Sequence, residues 1–514
     1  MTFTGSSNGQ APIQRIVIVG GGTAGWMTAA ALGFVFRGSP MRIDLVESEA
    51  IGTVGVGEAT IPEILKFNAM LGIDEADFMR ATGATFKLGI EFAGWGSEEE
   101  RYFHPFGVYG TDMEGIGFHH FWAKSVLSGA HASPIASGDI ADYCLAWQAA
   151  RQGKFAHPSG PPESPLSGIR YAYHFDATRY AAFLRRFAEA HKVTRHEGRV
   201  VDVMQDDISG IGSVTLEDGR NLVGDLFVDC TGFYGLLIEK TLGSGYEDWS
   251  HWLPCDSAIA VPSDRAGAAM RPYTRATARE AGWQWNIPLQ HRTGNGYVYS
   301  SHFTDDEAAR GVLMGNLDGK PLAEPRHLRF TTGKRREIWK ANCVAVGLAS
   351  GFLEPLESTS IHLIQSAITK LLNLFPASRD DAATRAIFNR LMDQEFRTIR
   401  DFLILHYSAT SRSGTAFWDY VRTMEVPDFL ADKIALFRHS ARIMREENEI
   451  FTEPSWLAVL VGQGILPQGY HPVADALSDD ENAGRLRAIA DTIERAAGSL
   501  PRHEDLIARY CASS

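Results

Sequence analysis

The stretch RIVIVGGGTAGWMTAAALGF, residues 15 to 34, constrains the fold more than any other part of the chain. No residue from Ile16 to Phe36 is charged, a run long enough to suggest a membrane span. The glycines exclude that reading. They divide the run into a β-branched strand (Ile16 to Val19), a turn and an Ala-rich helix, the strand-turn-helix of a nucleotide site. In Gly20-x-Gly22-x-x-Gly25 the glycines permit a tight turn, close approach of backbone to a pyrophosphate and close packing of helix on strand. A second strand, RIDLVES, ends in Glu47, where a carboxylate meets ribose hydroxyls. Strand, turn, helix, strand and acid in this order predict dinucleotide binding; the alternative is a glycine turn that binds nothing.

Two later segments decide between FAD and NAD. GDLFVDCTGFYG (224 to 235) and NCVAVGLASGFLEPLEST (342 to 359) are apolar strands running into Gly-rich turns. Their wide separation suits a large flavin site assembled from distant segments. No second complete GxGxxG offers a site for NADPH, so the reductant is expected from outside the chain. The 49 basic and 62 acidic residues give a net charge of −13, which works against nucleic acid or an anionic membrane as partner. The five cysteines, 144, 230, 255, 343 and 511, show no CxxC spacing, so neither a metal site nor a disulfide framework is expected, and a cytoplasmic location fits best.

Between these segments, residues 173 to 191 place Tyr180, Phe183, Leu184 and Phe187 at helical spacing, followed by short strands around Val200 and Val214. Residues 378 to 404 open with Ser378 and Asp381 in a capping-box arrangement and continue as an amphipathic helix through Phe388, Leu391, Met392, Phe396 and Ile399. HPSGPPESPLSG (157 to 168) is a loop, either a lid or a connector.

Five motifs then carry a resemblance: GGGTAGW, VGVGEATIP (54 to 62), FKLGIEFAGW (86 to 95), WQWNIP (283 to 288) and EPLEST (354 to 359). From about residue 15 to about residue 475 the chain resembles the flavin-dependent tryptophan halogenase family. The resemblance implies an α/β fold in which a Rossmann-like FAD module interleaves with a largely helical substrate module. Residues 1–375 would hold the FAD module with substrate-module segments, and 376–514 the mainly helical remainder. It also implies FAD used as FADH2, supplied by a separate NAD(P)H-dependent flavin reductase, with dioxygen and chloride or bromide placing halogen on an electron-rich ring. A homodimer is left open.

Residue by residue, the resemblance assigns catalysis to Lys87, which would hold or carry the halogen, and to Glu357, which would orient it or accept the ring proton. Gly20, Gly22, Thr23, Ala24, Gly25, Glu47, Glu58, Ala59, Gly347 and Leu356 would bind the flavin, and the backbone at Thr359 and Ser360 the halide. Many members carry glycine at the place of Ser360, which leaves the choice of halide open. His104 and Phe106 match aromatics that sandwich an indole, with Phe451 or Trp456 closing the far side. Residues 437 to 464, where tryptophan-specific members grip the amino-acid end of the substrate, contain no tyrosine, and Glu446 is the candidate acid. A simpler indole, or an indole within a larger molecule, is therefore expected in place of free tryptophan. The competing activity is hydroxylation by a flavin monooxygenase.

In GWQWNIPL, Trp283 and Trp285 fall on one face of a strand. They are a buried core pair or, as the resemblance implies for WxWxIP with Ile287 and Pro288, a wall between flavin and substrate.

Overall fold

The computed structural model describes residues 12–50, 57–129, 139–206, 210–265, 267 and 269–513. Strand β1 (Arg15–Val19) lies inside a six-stranded sheet. It pairs in parallel with β2 (Arg42–Glu47) on one side and with Leu226–Asp229 on the other, while Cys343–Ala345 and Thr194–Glu197 extend the sheet outward. The distant strand-turn segments of the sequence thus become neighbours. Ile16, Val17 and Ile18 are fully buried, as expected of a parallel strand covered on both faces. Helix α1 (Thr23–Val35) follows the turn and buries most of its circumference against α2 (Ala177–Ala190) and α3 (Ser360–Asn373). That burial explains the uncharged run without a membrane, and no helix among the described residues is long and apolar enough to cross one.

The helix read over residues 173 to 191 starts late. Ala172–Asp176 is a buried strand paired with Thr85–Lys87 and Gly57–Ala59, and Asp176 caps α2 by accepting from the amides of Thr178 and Arg179. Tertiary pairing overrides helical spacing in these first residues. Strands follow at Val200–Asp206 and Gly210–Leu216, as expected.

A seven-stranded sheet stands beside the first. It comprises β3 (Gly89–Ala93), β4 (Arg101–Pro105), β5 (Ser257–Ser263), β6 (Thr274–Arg279), β7 (Gly282–Pro288), β8 (Thr293–Tyr299) and β9 (Arg326–Arg329), in the order β9-β5-β8-β7-β6-β3-β4. Against its edge strand β4 packs α5 (Glu453–Gly462), and α4 (Ala382–Ser408) reaches the sheet through His406, which stacks on Phe92 of β3. Asp381 caps α4, accepting from the Thr384 amide at 3.1 Å; Ser378 lies three residues before this N-cap, so the capping box is not formed there. The 157–168 loop is a connector. It ends in a 3-10 turn packed on helix Asp479–Ser499, and His157 reaches Glu75 at 2.7 Å. All five cysteines are free and buried, and the described residues contain no group of side chains able to hold a metal.

Candidate functional site

A cavity of about 1560 Å³ opens along the carboxyl end of the parallel sheet. Gly20, Gly22, Thr23, Ala24, Glu47, Glu58, Ala59 and Gly347 all line it. Gly20 holds φ +114°, and a Cβ there would stand 2.3 Å from the Cys230 carbonyl oxygen, so the turn requires glycine. Gly25 and Leu356 lie beneath the lining: a Cβ on Gly25 would meet the Gly20 carbonyl oxygen at 1.8 Å, and Leu356 is buried. Residues 54 to 56 of the VGVGEATIP motif lie outside the described residues, whereas Glu58 and Ala59 sit in strand Gly57–Ala59 at the cavity wall.

The cavity suits a dinucleotide. Gly22 precedes α1 with no side-chain cap and open space beside its Cα, leaving the first-turn amides free for phosphate oxygens. Glu47 ends β2 at the expected place, but its carboxylate is already engaged by the Trp26 indole N–H at 3.1 Å and by Arg195. Glu58 has its pKa raised to about 7 by burial. A second helix, α3, starts at the opposite wall, where Ser360, Ile361 and Ile364 line the cavity. Thr359 precedes it with a buried hydroxyl that has no partner. Uncapped first-turn amides at that point favour an anion.

Trp283, Trp285 and Ile287 project from β7 into the same cavity. The two indoles share a face, as strand periodicity demands, yet they are not stacked: their centroids are 6.2 Å apart and their planes 56° to each other. Cross-strand neighbours set this tilt, since Trp285 lies over Gly296 of β8. Pro288 faces away and accepts the Thr85 hydroxyl at 2.7 Å.

Lys87 and Glu357 are fully buried and outside the cavity lining, although Ser358, which accepts from Lys87, lines it. Lys87 ends the strand Thr85–Lys87; its ammonium donates to the Thr60 carbonyl at 3.0 Å and the Ser358 hydroxyl at 2.8 Å, and sits 5.0 Å from the centroid of Phe106. Burial lowers its pKa to about 7, against the pull of Glu357. Glu357 closes a 3-10 turn, and the next residue, Ser358, takes the left-handed conformation at φ +60°. This kink aims the Glu357 side chain inward while Ser358 turns to Lys87. The two charges share a site through Ser358 without pairing directly.

His104 makes a contact that its expected stacking role did not include. Its Nδ1 lies 2.8 Å from Oε2 of Glu357, and Nε2 of His406 lies 2.7 Å from Oε1. Burial would raise the Glu357 pKa, but the two histidines outweigh it and hold the carboxyl at about 2. Phe451 stacks face to face on Phe402 at 3.7 Å, with the His104 ring 6.2 Å away, so these aromatics do gather. Trp456 is committed elsewhere: its N–H donates to Glu449 at 2.6 Å and Lys433 lies 4.2 Å over its ring. The buried acid of this region is Glu449, paired with Lys433 at 2.9 Å; Glu446, the expected candidate, is only partly buried. Sequence reading missed His406, Ser358, Glu354 and Phe402. Glu354 stands within the EPLEST motif, and His406 is a polar residue in the apolar run FLILHYS, a signal that more often means a satisfied core histidine.

The arrangement sets a cavity suited to a nucleotide apart from a buried cluster of titratable side chains, Lys87, Glu357, His104 and His406. The tryptophan halogenase family model matches residues 15–479, and the chain belongs to this family of flavin-dependent enzymes. It is 36% identical to tryptophan 6-halogenase SttH of Streptomyces toxytricini, over 96% of this chain and 98% of that one. Among solved structures it is similar to Xcc4156, a flavin-dependent halogenase from Xanthomonas campestris, at 51% identity and TM-score 0.93, covering 98% of this chain and 99% of the other. BrvH, a flavin-dependent halogenase from Brevundimonas sp. BAL3, follows at 46% identity and TM-score 0.92, with 97% and 99% covered.

Proposed function

We propose that the protein halogenates an electron-rich ring of the indole type, using dioxygen, chloride or bromide, and FADH2 delivered by a separate NAD(P)H-dependent reductase. The observation that carries this reading is the pair of fully buried charges, Lys87 and Glu357, set outside the lining of the tryptophan-walled cavity. Reduced FAD, when bound, supplies the electrons with which dioxygen turns halide into hypohalous acid. Such an oxidant diffuses, so the chain must keep flavin and ring apart and yet guide what passes between them. Trp283 and Trp285 serve as the partition, and the α3 N-terminus at Thr359 and Ser360 holds the halide on the flavin side.

Lys87 Nζ hydrogen-bonds the oxygen of hypohalous acid. The ring carbon attacks the halogen, the carbon–halogen bond forms, and the halogen–oxygen bond breaks. Hydroxide leaves as water with a proton from the Lys87 ammonium, and the ring proton goes to the Glu357 carboxylate as aromaticity returns. A proton passed from Glu357 to Lys87 restores both groups. A lysine with a pKa of about 7 is suited to giving and regaining that proton.

Free tryptophan is a poor fit. Residues 437 to 464 lack a tyrosine, and Glu449, the buried acid there, is already held by Lys433 and Trp456. The test is incubation with indole, FAD, a flavin reductase, NADH, oxygen and bromide, followed by mass spectrometry for the bromine isotope pair. Bromoindole, formed faster than bromotryptophan in a parallel reaction, is the expected result. Hydroxyindole, or no product across a broad set of aromatics, would overturn the proposal.

A further inference from the structure

Glu357 is held from behind by a chain of buried polar groups whose donor directions can be worked out atom by atom. The side-chain N–H groups of Gln463 donate to the His406 carbonyl at 2.9 Å and to the Tyr102 hydroxyl oxygen at 3.1 Å. A carbonyl oxygen only accepts, so the Gln463 amide can point only one way. Tyr102 thus accepts from Gln463, and its own proton is left for Nδ1 of His406 at 2.8 Å. Burial and the Glu357 charge keep the Tyr102 hydroxyl well above the usual phenol range, so it stays protonated. Neutral His406 accepts at Nδ1 and carries its proton on Nε2, the atom 2.7 Å from Oε1 of Glu357.

The ring cannot turn to escape this arrangement. It stacks on Phe92 at 4.6 Å, and Phe402 meets it edge-on at 5.4 Å. The charged and titratable groups around Glu357 are His104 from β4, Lys87 through Ser358, His406 from α4 and Tyr102 beyond it. Burial lowers the pKa of His406, with His104 adding to the effect and Glu357 opposing it. The Nε2 contact lies off the hydrogen-bond axis, so Oε1 has no aligned donor while Oε2 is taken by His104. Oε1 is the carboxylate oxygen with lone-pair capacity left for a ring proton.

We propose that His406, fixed in its Nε2–H tautomer by Tyr102 and Gln463, is a positioning residue that keeps Glu357 ionised with Oε1 turned to receive the ring proton. The proposal deepens the reading of Glu357 as proton acceptor and rests on it.

The test measures the pH dependence, from pH 5 to 9, of single-turnover bromination of indole by FAD-loaded protein prereduced under nitrogen. Wild type should show no acid limb in that window attributable to Glu357. Tyr102→Phe keeps the ring stack and removes the proton that fixes the tautomer; it should bring an acid limb into the window, with at least about a twofold loss of rate at pH 5 relative to pH 8. His406→Leu should move the limb further and cost about a hundredfold, while His406→Gln, which keeps a polar N–H beside Oε1, should recover much of the loss. If His406→Leu does not fold, Tyr102→Phe decides. Profiles parallel to wild type in the folded variants would overturn the role of His406. Wild-type bromination by Glu357→Gln would instead overturn the catalytic reading of Glu357 itself.

Discussion

Trp283 donates its indole N–H to Oε2 of Glu354 at 3.0 Å, and the same oxygen accepts the Tyr407 hydroxyl at 2.9 Å. Glu354 lies three residues before Glu357, and Tyr407 follows His406 on α4. One buried carboxylate therefore ties the tryptophan strand, the 354–359 segment and the helical part of the chain together. The wall is polar at its joints.

The two tryptophans should respond differently to loss of the indole nitrogen. Trp285 Nε1 is buried without a partner, whereas Trp283 Nε1 satisfies Glu354, whose Oε1 already lacks one. Trp283→Phe should cost about 1–3 kcal/mol in urea unfolding, and Trp285→Phe less than about 1 kcal/mol. Equal losses would contradict this division.

Glu354 should make stability fall with pH. Burial raises its pKa to about 7 from 4.5, so the folded protein binds more protons than the unfolded chain between those values. Its contribution is whole below pH 4.5 and is lost as pH rises through 7, by on the order of 3 kcal/mol. Glu354→Gln keeps an oxygen for Trp283 and Tyr407 and should flatten that part of the unfolding profile between pH 5 and 8. Glu58, shifted in the same direction, leaves its own slope behind.

Lys87 should cost stability at the place where the proposed mechanism uses it. Its folded pKa of about 7 lies below 10.5, so the penalty for burying the ammonium is full below pH 7 and is relieved as pH climbs toward 10.5. Lys87→Met should abolish halogenation, a loss of 10² or more, roughly, while FAD still binds and unfolding at pH 6 becomes harder by about 1–3 kcal/mol after loss of the bonds to Thr60 and Ser358. Calorimetry beside the bromination assay checks both halves, and retained turnover would refute the catalytic assignment.

Gly296 sets where Trp285 can lie. A Cβ there would stand 2.0 Å from Cζ2 of Trp285, so Gly296→Ala must push the indole off the strand. A stability loss of about 1–3 kcal/mol is expected. With the partition displaced, more hypohalous acid should reach a halogen trap in solution per FADH2 consumed; unchanged coupling would argue against the tryptophan wall.

Much of this was legible in one dimension because local chemistry forced it. The glycine turn could be read because a Cβ at Gly20 would strike the Cys230 backbone, and the strand over 282 to 288 because its face alternates. The start of α2 was misplaced because the helical spacing of Tyr180, Phe183, Leu184 and Phe187 does not mark where the helix opens, and only pairing with Thr85–Lys87 shows Ala172–Asp176 to be a strand. The contact of His104 with Glu357 was not legible, because nothing local shows that a carboxylate 253 residues away would take its Nδ1.

By itself, then, the sequence determined the nucleotide turn, the face shared by Trp283 and Trp285, and the identity of the two buried charges, since each depends on backbone conformation or on short motifs. Tertiary structure decided their chemical state. Whether Lys87 is easily neutralised, whether Glu357 stays ionised, and which nitrogen of His406 carries its proton all follow from desolvation and from partners on distant strands and helices, and electrostatics in a dry interior acts through space, not along the chain.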